Sequence, residues 1–318
     1  MIDLTPLFPA VRQAVDLTRR VRQLALNASA KGINDPVTIA DYGAQAIMLR
    51  ALERLHPDAA VIAEEHSEQF IELVAPEGRA TIAQLLGEVV GEDVRERDIV
   101  RWLDFGRDRD DSRLWVLDPI DGTRGYVSGR RYSIALGVLE GRKPAAGFLA
   151  CPGYPAPNAQ GVLFYTSDGM TLAESLAGGA ARRVQVRRTT DTRQFQPVES
   201  HDNIAFDHPW LLHLYAQLGI PEGTVEQLDG QDKYATVAAG DADFYVRPAR
   251  PQDRLHFIWD HAAGGALVAA AGGVVTDLTG EPLDFSQGER LPRMGVIVSS
   301  AAAHEAVLAG VQALLVAQ

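Results

Sequence analysis

Apolar residues near the start of the chain recur at helical spacing. Val11, Ala14, Val15, Thr18, Val21 and Ala25 fall on one face, because a 3.6-residue repeat brings positions three and four apart together. The pattern predicts an amphipathic helix that stops at Asn34-Asp35-Pro36, where proline removes a backbone donor. A second helical run begins near Thr38 and carries Ala46, Leu49, Leu52 and Leu55 up to His56-Pro57. Val61-Ile62-Ala63 then reads as a short apolar strand ending in Glu64-Glu65.

From His66 to Arg113 the pattern turns acidic and irregular, with one helical stretch around Ile82 to Val90 and an exposed loop at Arg107–Ser112. The segment has the length of a lid or of a variable decoration. Strand signals follow at Leu114–Leu117, Tyr132–Leu139 and Pro144–Ala150, the last two joined at Gly141-Arg142 as an antiparallel hairpin. Beyond Pro152-Gly-Tyr-Pro155 the composition shifts. Phe244–Val246, Gly273–Thr276 and Met294–Val298 read as strands, with Phe257–Ala271 and Ala301–Leu315 as helices. The alternation predicts layered sheets and helices in an α+β chain with two subdomains, residues 1–165 and 166–318.

Composition narrows the function classes. The chain has 318 residues, 46% of them hydrophobic and 23% charged, and no apolar run approaches a membrane span. Met1 to Arg22 lacks the uninterrupted apolar core of a signal peptide, so a cytoplasmic protein is expected. Cys151 is the only cysteine, which excludes an intramolecular disulfide or a thiolate metal site; its place after an apolar strand predicts burial. The net charge of −12 argues against gripping a nucleic acid polymer. It leaves room for a small phosphorylated substrate, since bound cations reverse the local field.

Carboxylates cluster at strand ends. Asp118-Pro-Ile-Asp-Gly-Thr123 directly follows an apolar strand, and a proline-stiffened turn there can aim two acids at one point. The Ile120 carbonyl between them adds an oxygen, and hard divalent cations take oxygen donors. Backbone amides at Gly122 and Thr123 suit a phosphate. Glu64-Glu65 ends another strand, Asp260 opens the small-residue run Trp259-Asp-His-Ala-Ala-Gly-Gly265, and Asp41 stands just inside the second helix, behind Lys31. Two cations roughly 3.5–4 Å apart can clamp the attacking and leaving oxygens of a phosphoryl displacement. Separately, each piece also fits a solvated acid pair, a turn or a helix cap.

Taken together, Glu64-Glu65, Asp118-Pro-Ile-Asp-Gly-Thr123 and Trp259-Asp-His-Ala-Ala-Gly264 resemble the motifs of the inositol monophosphatase superfamily, in the family's order. The resemblance runs from about Lys31 to Ser300. It implies the layered αβαβα sandwich of the sugar phosphatases, with most metal ligands in the first subdomain and substrate contacts in the second. It implies Mg²⁺, as two or three ions, on Glu64, Asp118, Asp121, Asp260 and the Ile120 carbonyl, with Asp41 and Thr123 positioning the nucleophilic water. Lithium sensitivity and a homodimer are further family expectations.

Within the superfamily the chain looks most like the 3′(2′),5′-bisphosphate nucleotidases, which convert adenosine 3′,5′-bisphosphate to AMP and phosphate. Pro36-Val-Thr-Ile-Ala-Asp-Tyr42, Arg124-Gly-Tyr-Val-Ser-Gly129, Leu228-Asp-Gly-Gln-Asp-Lys-Tyr234 and Phe244-Tyr-Val-Arg247 carry the likeness. By this resemblance Gly122, Thr123, His201, Lys233 and Arg247 contact substrate, although Lys233 and Arg247 also fit solvated surface. Two departures touch the substrate end. Gly230 stands where the nucleotidases have serine, and their Glu-x-x-His-Ser-x-His stretch is shortened to Glu199-Ser200-His201. An inositol or sugar monophosphatase therefore stays open, as does a phosphate-ligand-binding protein without catalysis. Arg182, Arg183, Arg187 and Arg188 alternate with Val184 and Val186 and read as a solvated strand face.

Overall fold

The computed structural model describes residues 2–27, 36–156, 159–201, 204–221, 223, 225–248, 256–292 and 295–316. The expected helix stop at Asn34-Asp35, and Lys31, lie outside these residues. The two amphipathic runs form α1 (Phe8–Asn27) and α2 (Pro36–Leu55).

Among the described residues, seven strands build the first sheet in chain order. They are β1 (Ala60–Ala63), β2 (Arg113–Asp121), β3 (Ser133–Glu140), β4 (Lys143–Cys151), β5 (Val162–Ser167), β6 (Met170–Ser175) and β7 (Arg182–Val184). The β3–β4 hairpin forms as expected, with Gly141 at φ 55° and Arg142 at φ 63°; positive φ at both central residues suits a two-residue turn to the sheet's twist. Residue 165 falls within β5, and the first sheet continues to Val184. The Pro152-Gly-Tyr-Pro155 turn thus precedes further strands of the same sheet. The second sheet runs β11-β12-β10-β8-β9, from β8 (Pro197–Ser200), β9 (Glu226–Leu228), β10 (Phe244–Arg247), β11 (Gly273–Thr276) and β12 (Val296–Ser300).

Helices fill three layers around these sheets. Val11, Val15 and Ile47 of α1 and α2 pack on Trp115, Leu117, Leu136 and Phe148 of the first sheet. Its other face meets α8 (Asp232–Ala238) and α9 (Ala262–Ala270), where Ala135, Leu149 and Phe164 share a core with Ala235, Leu267, Tyr245 and Val298. Beyond the second sheet, Leu211 and Leu214 of α7 (Ile204–Leu218) and Val307 and Val311 of α10 (His304–Val316) cover Phe244, Val246 and Ile297. The order is α-β-α-β-α, as the resemblance implies.

The central layer explains the run of small residues after Asp260. A Cβ on Gly137 of β3 would stand 2.7 Å from the Ala262 Cβ, and one on Gly264 would stand 2.3 Å from the Tyr234 ring. Larger side chains would push α9 off both neighbours. Leu267 and Val268 are wholly buried there, each contributing about 1.5–3 kcal/mol of burial.

The segment 66–113 differs from the irregular stretch expected. It folds as α3 (Ser67–Leu73), α4 (Pro76–Val90) and α5 (Glu96–Leu103). Phe70, Ile82, Leu86, Ile99 and Trp102 join the core under α1 and α2, so the segment is a packed wall and not an open loop. Ile99, Trp102 and Leu103 are the apolar stripe of α5, and the charges between them mask it in the sequence. The remainder, Arg107–Ser112, is a loop as expected. Cys151 is buried, and Arg182 and Arg183 are exposed on β7.

Candidate active site

The register of β1 and β2 brings two acids side by side. These strands run parallel with Ala63 opposite Leu117, and the Glu64 N–H donates to the Leu117 carbonyl at 3.2 Å. Glu64, just past the end of β1, and Asp118 of β2 therefore stand side by side, and their carboxyls share a hydrogen bond. Glu65 turns the other way: its carboxylate meets the Tyr42 hydroxyl, and its backbone carbonyl accepts from Gln45 at 2.6 Å.

Past Asp118 the pairing with β3 is interrupted until Asp121. Within that irregularity the Ile120 N–H donates to Asp118 Oδ1 at 3.1 Å, which fixes the turn. Gly122 caps α6 (Thr123–Val127) at φ 88°, a conformation that favours glycine. The Thr123 hydroxyl donates to the Ile120 carbonyl at 3.1 Å. From the other half of the chain, a 3₁₀ turn at Ile258–Asp260 presents Asp260 just before α9.

These groups line one pocket of about 280 Å³. Its walls hold Glu64, Asp118, Ile120, Asp121, Gly122, Thr123, Lys233, Arg247 and Asp260, all expected from the sequence, together with Arg124, Ser200, Asp229, Gly230, Gln231, Tyr234, Tyr245 and His261. Asp41 is buried in α2 and His201 is 40% exposed; neither belongs to the pocket wall. His201 Nδ1 lies 3.9 Å from Asp229 Oδ1.

The acids strain one another. Burial, then the charges of Glu65 and Asp260, push Glu64 up to about 8. Burial and Asp260 push Asp121 up to about 7, against the pull of Lys233. Asp118, 2% exposed, is raised by burial and by Glu64. Burial also raises Asp260, with the nearby Arg247 opposing. Among the described residues, no three Asp, Glu, His or Cys side chains already close around an ion. The donor set is nonetheless all oxygen, with four carboxylates and a carbonyl, and its excess negative charge is what a divalent cation neutralises. These residues fit a hard metal ion.

Two cations stand among these acids. Arg247 Nη1 lies 3.4 Å from Asp260 Oδ2. Lys233 is not solvated surface: it is 5% exposed, and its Nζ donates to the carbonyls of Asp229 at 2.9 Å and Gly230 at 2.7 Å. Asp229 is itself held by Arg130, whose Nε donates at 2.7 Å. The wall residues Asp229, Gln231 and Tyr234 belong to the Leu228–Tyr234 motif, but nothing in the sequence marks their long-range partners.

The sequence matches the inositol monophosphatase family over residues 4–315. A probable 3′(2′),5′-bisphosphate nucleotidase of Arabidopsis thaliana is 35% identical, with 92% of this chain and 90% of that protein covered. A 3′(2′),5′-bisphosphate nucleotidase of Emericella nidulans is 32% identical, with 96% of each covered. Among solved structures, an inositol monophosphatase from Anabaena superposes with a TM-score of 0.62 at 20% identity, covering 99% of this chain and 98% of that one; at that identity the likeness speaks for the fold. On motif order, layer order and a match along nearly the whole sequence, this chain belongs to the inositol monophosphatase family.

Proposed function

We propose that the protein is a Mg²⁺-dependent 3′(2′),5′-bisphosphate nucleotidase that hydrolyses adenosine 3′,5′-bisphosphate to AMP and phosphate. One observation carries the reading: a single pocket holds four carboxylates and, among them, the cations Arg247 and Lys233. A bisphosphate has a use for both kinds of group, one phosphate at the acids for transfer and one toward the cations for binding. The nucleotidase relatives at 32–35% identity support the same choice. A cytoplasmic location is part of this reading.

Glu64, Asp118, Asp121, Asp260 and the Ile120 carbonyl would hold Mg²⁺, as two or three ions. When bound, the metal neutralises charge on the transferring phosphoryl group and the leaving oxygen. Thr123 commits its hydroxyl hydrogen to Ile120, so its oxygen is left to accept a hydrogen bond from the attacking water. By the family resemblance Asp41 would receive that water's proton, from α2 and outside the pocket lining. The Gly122 and Thr123 amides line the same wall and suit the phosphoryl oxygens.

The test is phosphate release with Mg²⁺ from adenosine 3′,5′-bisphosphate and from inositol 1-phosphate at equal concentrations. Preference for the nucleotide is expected. Preference for inositol phosphate would overturn the substrate, and binding of either ligand without hydrolysis would overturn catalysis.

A further inference from the structure

Gln231 is wholly enclosed, 1% exposed, at the wall where the two halves of the chain meet. Its Oε1 accepts the Gly264 N–H at 3.1 Å, in the first turn of α9. Its Nε2 donates to the Trp259 carbonyl at 2.8 Å, the peptide that leads into Asp260. The same amide stands beside the Asp121 carboxylate and favours its charged form.

The chemistry of a primary amide fixes how these contacts are shared. Only its oxygen can take an N–H from Gly264, so its nitrogen donates to the Trp259 carbonyl and keeps a second hydrogen for Asp121. The amide cannot flip without leaving a buried donor facing Gly264 and the Trp259 carbonyl without its hydrogen. Gln231 therefore ties Asp121, at the end of the first sheet, to the backbone on both sides of Asp260, ahead of the central helix. The backbone on its other side is equally constrained: a Cβ on Gly230 would stand 2.4 Å from the Asp121 carbonyl oxygen, so residues 230 and 231 seat directly on the acid's own peptide.

We infer that Gln231 is a positioning residue that sets the spacing of Asp121 and Asp260, and so the affinity of the site for its divalent cation, without touching substrate. This rests on the metal-dependent reading above. Supporting contacts of this kind change metal affinity or activity by about 10–100-fold when removed.

Two variants of the full chain separate positioning from simple packing. Q231L removes the amide and its hydrogen bonds while filling similar space. V311A loosens the core between the second sheet and α10, outside the pocket lining. In Q231L we expect kcat to fall about tenfold or more, with KM changed by less than about twofold. The Mg²⁺ concentration giving half-maximal protection against thermal unfolding, read without substrate, rises in Q231L. V311A lowers the melting temperature and keeps the wild-type kcat and Mg²⁺ requirement, so activity does not follow stability. Wild-type kcat and Mg²⁺ protection in folded Q231L overturn the inference, as does a loss of kcat in V311A that matches Q231L at equal loss of melting temperature. A wild-type protein that neither binds Mg²⁺ nor releases phosphate overturns the metal reading, and this inference with it.

Discussion

Gly122 and Gly230 meet backbone against backbone: a Cβ on Gly122 would lie 2.8 Å from the Gly230 nitrogen, and one on Gly230 would lie 2.9 Å from Ser133 Oγ. The glycine at 230 is therefore not merely a serine whose hydroxyl is missing. It is a condition for the substrate-side loop to close on the acid-bearing turn. Introducing G230S should not restore a substrate contact. It should force the loops apart, at about 1–3 kcal/mol, and lower phosphate release at saturating substrate about tenfold or more. Steady-state kinetics checks this; unchanged or improved turnover would contradict the packing.

Asp121 offers the sharpest test of the acid wall. D121N preserves shape and removes a charge, so far-ultraviolet circular dichroism should match the wild type. Losing one anionic ligand is expected to remove several kcal/mol of transition-state stabilisation, on the order of 10³ in rate. A variant with near-normal phosphate release would remove Asp121 from the ligand set.

The raised carboxyls make a pH prediction for the metal-stripped protein. Glu64 stands at about 8 against an ordinary 4.5, and Asp121 at about 7 against 3.8. The folded chain thus holds protons that the unfolded chain has released, and stability falls as pH rises through this window. In EDTA the melting temperature should be higher at pH 5.5 than at pH 8.5. Added Mg²⁺ should raise it most at the alkaline end, where both acids are free to bind it. Calorimetric melts across pH, with and without Mg²⁺, decide the point.

Arg131 joins two layers away from the acids. Its Nε donates to the fully buried Asp232 at 2.8 Å, and its Nη1 reaches Glu226 at 3.0 Å. R131M leaves Asp232 enclosed without that cation, which costs about 3–5 kcal/mol for a broken buried pair. Urea unfolding should show the loss. A change within about 0.5 kcal/mol, as for an ordinary surface substitution, would mean that the pair is inconsequential.

The acid motifs were legible because each follows a short apolar strand or opens a small-residue run, and local sequence alone carries that signal. The layer order was legible through the same motifs. What stayed hidden depends on distant partners. Lys233 looks like any surface lysine until the carbonyls of Asp229 and Gly230 are seen to surround its ammonium. Glu65 looks equivalent to Glu64 until Tyr42 and Gln45 claim it. Helices α3 and α5 and strand β9 were missed because short, charged elements carry little periodicity, and tertiary packing decides them. Asp41 and His201 were expected at the site, yet both stand back from its wall.

Helix α9 has almost no solvent face, with a sheet on either side and residues Ala262 to Val268 buried. The acid at its start inherits that enclosure, whereas Arg124, at the rim of the same pocket, is exposed and less constrained by packing. Diversification in this scaffold thus has an asymmetric freedom. New esters can be accommodated by rewriting the rim, while the chemistry stays anchored to a helix with almost no freedom to shift.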